Sequence, residues 1–301
     1  MNFSKSSLLA VGWLFAFANL QSAEGVTIRD DEPDSDYLAL GTQADFSAVG
    51  TFAANLTGAG TLIAPDWVLT AAHLIIGAGS GTFTLNGSSY TSSQIITDPA
   101  WDGNVYNGND FALVHLSSPI AAIPPAMLYT GTSEFGQVGT FVGYGFTGTG
   151  LTGYNTALGN QKRAFQNMID GDFGLPLLVY AADFDNPHDP NASGFGSVYP
   201  IALEGCVTPG DSGGGVFIQQ GSQYYLAGVI STVGYFDNSP NGSYSDASGF
   251  GRISAALPWI NNTIAVPEPS ASTLLFGAGV GVLILRRRQG LRARLTAGRG
   301  L

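Results

Sequence analysis

Gly210-Asp211-Ser212-Gly213-Gly214-Gly215 runs directly into Val216-Phe217-Ile218. Four glycines crowd one serine and one aspartate. Glycine loses more freedom on folding than any other residue, so such a cluster marks a tight turn or a close approach to a ligand. The apolar triplet reads as a strand. A serine on this turn, with free backbone N–H groups around it, is placed to act as a nucleophile facing an oxyanion site. Gly/Ser-rich turns recur throughout the chain, so the reading requires a histidine and an aspartate in suitable settings elsewhere.

Outward from this stretch, strand-like runs dominate. Phe46–Phe52 alternates as a half-buried strand should, and Gly58–Ala64 and Trp67–Thr70 are joined by the turn residues Pro65-Asp66. Further runs are Gln94–Thr97, Phe111–Leu116, Gly139–Gly145, Leu177–Tyr180 and Tyr225–Ser231. Short strands broken by Gly, Asn and Pro predict an all-β sandwich or barrel pair. One helix is expected near the end, Ile253 to Ile264, with Ser254 as its cap.

The 301 residues are 45% hydrophobic and 11% charged, with 42 glycines. That supports a real core rich in turns. Residues 24–266 hold four basic side chains (Arg29, Lys162, Arg163, Arg252) against 21 acidic ones, a net charge of −17. Such a body repels phosphate backbones, which argues against nucleic-acid binding. The single cysteine, Cys206, excludes an internal disulfide.

Residues 1–23 read as a signal peptide: Lys5, then an apolar run from Leu8 to Leu20, then Ala23 before a cut. Residues 24–40 are an acidic surface segment or short pro-region. At the other end, Val266-Pro267-Glu268-Pro269 precedes the uncharged run Ser270–Leu285 and then Arg286-Arg287-Arg288. Sixteen helical residues rise about 24 Å, slightly short of a hydrocarbon core of about 30 Å. The arginines would hold the tail on the cytoplasmic side.

Two other blocks supply the missing chemistry. His73 closes Leu69-Thr70-Ala71-Ala72-His73, directly after a strand. Asp110, in Asn109-Asp110-Phe111-Ala112-Leu113, abuts an apolar run, so it is half buried and needs a partner. The shared chemistry is nucleophilic acyl transfer: the Ser212 hydroxyl attacks, the His73 imidazole takes its proton, and Asp110 holds the imidazole's tautomer. The N–H groups of Gly210 and Ser212 would stabilise the oxyanion.

These three blocks, in His, Asp, Ser order, resemble the signature of the trypsin/chymotrypsin-like serine proteases. The resemblance covers roughly residues 40–264. It includes Tyr225–Ser231, the strand lining the substrate cleft in that family, and a closing helix with Leu257-Pro258-Trp259-Ile260. It implies two antiparallel six-stranded β-barrels, a protease domain over 41–265, and an active site between the barrels. It also implies that Ser231 lies beside Asp110 and hydrogen-bonds to it.

The chain departs from that pattern at four places. No Ile-Val-Gly-Gly start precedes the first barrel, so the family's pairing of a freed terminus with the aspartate at Asp211 is open. Arg29 or a different new terminus is the alternative partner. Cys206 stands where the family floors its primary specificity pocket, so a Lys or Arg preference is unsupported, and a small or apolar side chain is expected. Thr208 replaces a disulfide cysteine and Gly215 a proline.

Cys206 reads either as a small buried hydrophobe or as an oxidisable pocket thiol. His115 and His188 read as structural or solvated. Three histidines and one cysteine do not indicate a transition-metal site. Asp183, Asp185 and Asp189 form a loose cluster of the kind that holds Ca²⁺, without a matching loop motif.

The tail resembles the PEP-CTERM sorting signal of exopolysaccharide-making Gram-negative bacteria, over 266–288, followed by a basic tail, 289–301. That implies exosortase recognition and release or attachment at the cell surface or matrix, after transient membrane anchoring. The expectation is therefore an exported serine endopeptidase acting on protein or peptide without a cofactor or metal. A non-catalytic surface or matrix protein on the same fold and an esterase-like serine hydrolase are the alternatives.

Overall fold

Residues 25–156, 161–173, 178–236 and 239–265 are described by the computed structural model. The segments read from sequence as a signal peptide, a PEP-CTERM signal with its apolar run, and a basic tail all lie outside these residues. Among the described residues, no helix is long and apolar enough to cross a membrane.

The first strand, β1 (Thr27–Ile28), is only two residues long and wholly buried. Helix α1 (Asp34–Gly41) follows it. The acidic segment is thus folded chain over 25–40. Asp34 and Asp36 stand in the first turn of α1, where the helix dipole favours negative charge. Tyr37, Leu40 and Gly41 point inward, and Asp34 pairs with the buried Arg163 at 2.7 Å.

Six strands then close a barrel: β2 (Val49–Ala53), β3 (Thr57–Ala64), β4 (Trp67–Thr70), β5 (Thr82–Leu85), β6 (Ser88–Thr97) and β7 (Ala112–Leu116). Their order around the barrel is β2-β3-β4-β7-β6-β5. Phe52, Leu62, Val68, Phe83 and Val114 fill it and are fully excluded from water. Each such side chain contributes about 1.5–3 kcal/mol by burial. Phe46, expected to open the first strand, sits instead in a short 3₁₀ turn, Ala44–Phe46, and is buried there.

The second half contains β8 (Val138–Gly143), β9 (Thr147–Thr149), β10 (Gly153–Asn155), β11 (Arg163–Met168), β12 (Gly171–Asp172) and β13 (Val179–Asp183). It continues with β14 (Gly205–Cys206), β15 (Gly215–Gln220), β16 (Gln223–Gly234) and β17 (Ala247–Arg252). Seven of these form a half-barrel in the order β11-β8-β15-β16-β17-β13-β12. Phe141 stacks on Phe165 at 4.7 Å between centroids, with Val216, Ile218, Ile230 and Phe250 in the same core. A small sheet, β10-β9-β1-β14, brings the N-terminal segment beside Cys206. The architecture is the expected mostly β, trypsin-like pair of barrels, the first closed and the second a half-barrel.

Helix α2 (Ile253–Ile264) has the bounds expected from sequence. The chain divides by its own contacts after Ala256, so α2 crosses the boundary between a larger unit and a smaller one.

Candidate active site

Strand register explains how distant residues converge. β4 pairs antiparallel with β7, and Thr70 at the end of one faces Ala112 at the start of the other. The chain three residues beyond Thr70 therefore meets the chain two residues ahead of Ala112. Those residues are His73, in the 3₁₀ turn Ala72–Ile75, and Asp110.

Asp110 is 1% exposed, and its carboxylate is fully engaged. Oδ1 accepts the His73 backbone N–H at 2.8 Å, and Oδ2 lies 2.6 Å from His73 Nδ1. Ser231 Oγ donates to the same Oδ2 at 2.6 Å. An ionised carboxylate only accepts, so the His73 proton sits on Nδ1 and the Nε2 lone pair is left to act as a base. The imidazole keeps 20% of its side-chain surface exposed.

Ser231 reaches Asp110 because of an irregularity. The pairing of β16 with β17 shifts register between Ile230 and Thr232, with Ser231 at the break. A bulge of this kind turns a side chain out of the ladder.

The loop carrying Ser212 is pinned from both halves. Ser212 C=O accepts the Ala59 N–H of β3 at 2.7 Å, while Gly213 N–H donates to Ile230 C=O of β16 at 2.8 Å. Gly213 has φ +82°, and a Cβ there would lie 2.1 Å from Ala59 O, so no other residue fits. The N–H groups of Asp211, Gly213 and Gly214 are bonded to Thr208, Ile230 and Asp211 carbonyls. Those of Gly210 and Ser212 donate to no acceptor among the described residues. Ser212 itself is half-buried, between the buried Asp211 and Gly213.

Asp211 is fully buried beneath this loop. Its carboxylate accepts from Gly145 N–H (2.7 Å), from Thr208 N–H (2.8 Å) and from the Val26 backbone. Burial pushes its pKa up to about 6, against the pull of these bonds. Arg29, one of the partners expected from sequence, does not pair with Asp211. It bonds Asp31 and the Ile201 carbonyl instead. Thr208, which stands where the resemblance places a disulfide cysteine, holds Asp211 by its N–H, and its hydroxyl donates to Phe146 C=O at 2.6 Å.

Cys206 is fully buried, packed with Phe184 and Tyr244, and Val233 lies against the same cluster. Its thiol is 3.5 Å from Ser248 Oγ, and burial drives the thiol pKa well above its ordinary value. The oxidisable-thiol reading is thereby corrected: this is a buried hydrophobe.

The acidic cluster differs from the expected trio. Asp183 and Asp185 meet Asp170 and Glu204, whereas the exposed Asp189 caps the turn Pro190–Ala192. Oδ1 atoms of Asp170, Asp183 and Asp185 are buried without a hydrogen-bond partner. Burial first, and then the Asp183 charge, pushes Asp185 up to about 6, and burial pushes Glu204 up to about 8. Among the described residues, no three His, Cys, Asp or Glu side chains are arranged to hold a metal ion. His115 and His188 each face a carboxylate of their own, Asp66 and Asp30.

Comparison with known proteins adds to this geometry. The Trypsin family model matches residues 39–167, a stretch that includes His73 and Asp110. Chymotrypsin-like elastase family member 1 of Canis lupus familiaris is 28% identical over 229 residues, covering 69% of this chain and 81% of its own. The same protein of Homo sapiens is 29% identical over 221 residues, with coverage of 69% and 81%. At this modest identity, the matches support a trypsin/chymotrypsin-like serine protease.

Proposed function

We propose that this chain is an exported serine endopeptidase that cleaves peptide bonds through Ser212, His73 and Asp110. The observation that carries the reading is the shared Asp110 carboxylate, which accepts His73 N–H and Ser231 Oγ and faces His73 Nδ1. In this mechanism His73 Nε2 takes the Ser212 proton as Oγ attacks the scissile carbonyl. The Gly210 and Ser212 N–H groups receive the oxyanion. The protonated imidazole then gives its proton to the leaving amine, and water resolves the acyl-enzyme by the same steps.

The substrate pocket supports a preference for a small apolar side chain. Its floor falls to Cys206, by the family resemblance, and that residue is fully covered, with Val233 packed against its cluster. A site so filled leaves little depth for a long side chain. Export by the N-terminal signal, membrane attachment through 270–285, and sorting by an exosortase-type enzyme at 266–288 belong to the same proposal. They rest on sequence alone.

A fluorophosphonate probe tests the reading. Wild type should be labelled at Ser212, and S212A should lose both that label and peptide hydrolysis. A folded wild type that takes no label at Ser212 would return the chain to the non-catalytic reading. Ester turnover without cleavage of any peptide in a diverse library would favour the esterase.

A further inference from the structure

A second serine–histidine–aspartate relay stands on the first barrel, made of residues the proposed protease chemistry does not use. His115, on β7, lies opposite Trp67 of β4, and its ring packs 4.6 Å from the indole centroid. Its Nε2 faces Asp66 Oδ2 at 3.2 Å, and its Nδ1 lies 2.7 Å from Ser93 Oγ. Ser93 is at a register break of β6, between Ser92 and Gln94, and is exposed to solvent.

The tautomer follows from the partners. The Asp66 carboxylate only accepts, so Nε2 carries the proton. In the neutral ring Nδ1 is then an acceptor, and Ser93 O–H donates to it. The His115 and Leu116 carbonyls, 3.2 and 3.5 Å from the same hydroxyl, are the longer alternatives. The serine proton is thus directed at a base whose far side is held by a carboxylate, the same logic as a catalytic triad with the two ring nitrogens exchanged. Asp66 keeps 41% of its side chain exposed and His115 13%, so the ring is held while the hydroxyl stays open to small molecules.

We propose that Ser93 is an acyl-acceptor site for small activated esters, with His115 as its general base and Asp66 as the residue positioning the imidazole. Ser93 Oγ bonds to the acyl carbon as its proton passes to His115 Nδ1. The carbon–oxygen bond to the leaving alcohol breaks, and the alcohol carries that proton away. The product is an O-acyl serine. Ser93 is exposed, so the developing oxyanion is solvated by water, and a good leaving group is required.

The test uses the full chain with Ser212→Ala, which separates this site from the protease reading, and p-nitrophenyl acetate as acyl donor. Peptide mapping should place acetyl on Ser93 at least about tenfold faster than on any other serine, within the range of general-base catalysis. S93A should abolish that modification, and H115Q should slow it by about tenfold or more. D66N should also slow acetylation of Ser93 by about tenfold, and D66E should restore it, which a merely structural Asp66 would not do. Should H115Q fail to fold, the D66N and D66E pair in the S212A protein decides. Unchanged acetylation in D66N, scattered acetylation, or equal reactivity of Ser93 in folded H115Q overturns the proposal.

Discussion

Ser231 donates to Asp110 Oδ2 at 2.6 Å, the oxygen that also lies 2.6 Å from His73 Nδ1. One buried oxygen is therefore shared between the two halves of the molecule. Replacing Ser231 by Ala leaves that carboxylate with one donor fewer. A hydrogen bond to a charged group is worth about 1.5–3 kcal/mol, so kcat/KM should fall by about tenfold or more. Asp110→Asn should be more severe, about 10⁴-fold, because the amide supports the wrong imidazole tautomer. Steady-state kinetics on a peptide substrate checks both. An unchanged kcat/KM in S231A would mean that Asp110 is oriented by His73 alone.

A glycine with no substitute underlies the Ser212 loop. Gly213→Ala places a methyl group 2.1 Å from Ala59 O at φ +82°. The backbone term alone costs about 1–2 kcal/mol, and the clash adds to it. G213A should lower Tm by several degrees and abolish fluorophosphonate labelling even in the fraction that folds. Asp211→Asn removes only the carboxylate that collects Gly145, Thr208 and Val26 N–H groups. It should reduce kcat by about 10²-fold, the size of a lost oxyanion donor, with a smaller effect on Tm.

Stability should depend on pH through the buried carboxyls, with a definite sign. Asp185 is raised from 3.8 to about 6, chiefly by burial and then by the Asp183 charge. The folded state therefore holds its proton more tightly than the unfolded state. The stabilisation is complete below about pH 4 and is lost as pH rises through about 6, to a total on the order of 2 kcal/mol. Glu204, raised to about 8, extends the loss toward alkaline pH. Asp185→Asn should leave Tm nearly unchanged at pH 4 and raise it relative to wild type at pH 8. Thermal unfolding at both pH values decides, and a Tm difference independent of pH would show that folding does not raise the Asp185 pKa.

Much of the site was legible because its residues carry local signals. Thr70–His73, Asn109–Leu113 and Gly210–Gly214 each sit at a strand end, and the His73–Asp110 contact follows once Thr70 is paired with Ala112. Strands with dense apolar content, β3, β4, β15 and β16, were also visible, as was α2. β17 was not. Its sequence, Ala-Ser-Gly-Phe-Gly-Arg, has small residues where a pattern would show, because its glycines make room for neighbouring rings: Gly249 for Phe173 and Gly251 for Phe111. β1 is too short to carry any period, and it exists only because β9 and β14 pair with it. α1 was masked by its own charge, which reads as a solvated segment until Arg163 is found opposite Asp34. The meeting of Asp183 with Asp170 and Glu204, and the Val26 contact to Asp211, depend on long-range folding that no local pattern encodes.

On the proposed protease reading, the depth of the substrate pocket should change with one substitution. Val233 is half-buried and packs on the cluster of Cys206, Phe184 and Tyr244, two residues beyond Ser231 on β16. Removing its side chain takes bulk from the cluster that covers Cys206. One methylene in an apolar pocket discriminates substrates by about 1–3 kcal/mol, or roughly 10–200-fold. Val233→Gly should therefore raise kcat/KM for a Phe or Leu residue before the scissile bond, relative to Ala, by at least about tenfold. The ratio of kcat/KM values for matched peptide pairs measures it directly. If the ratio does not move while the variant keeps its activity on Ala, Val233 lies outside the pocket, and the limit on side-chain size is set elsewhere.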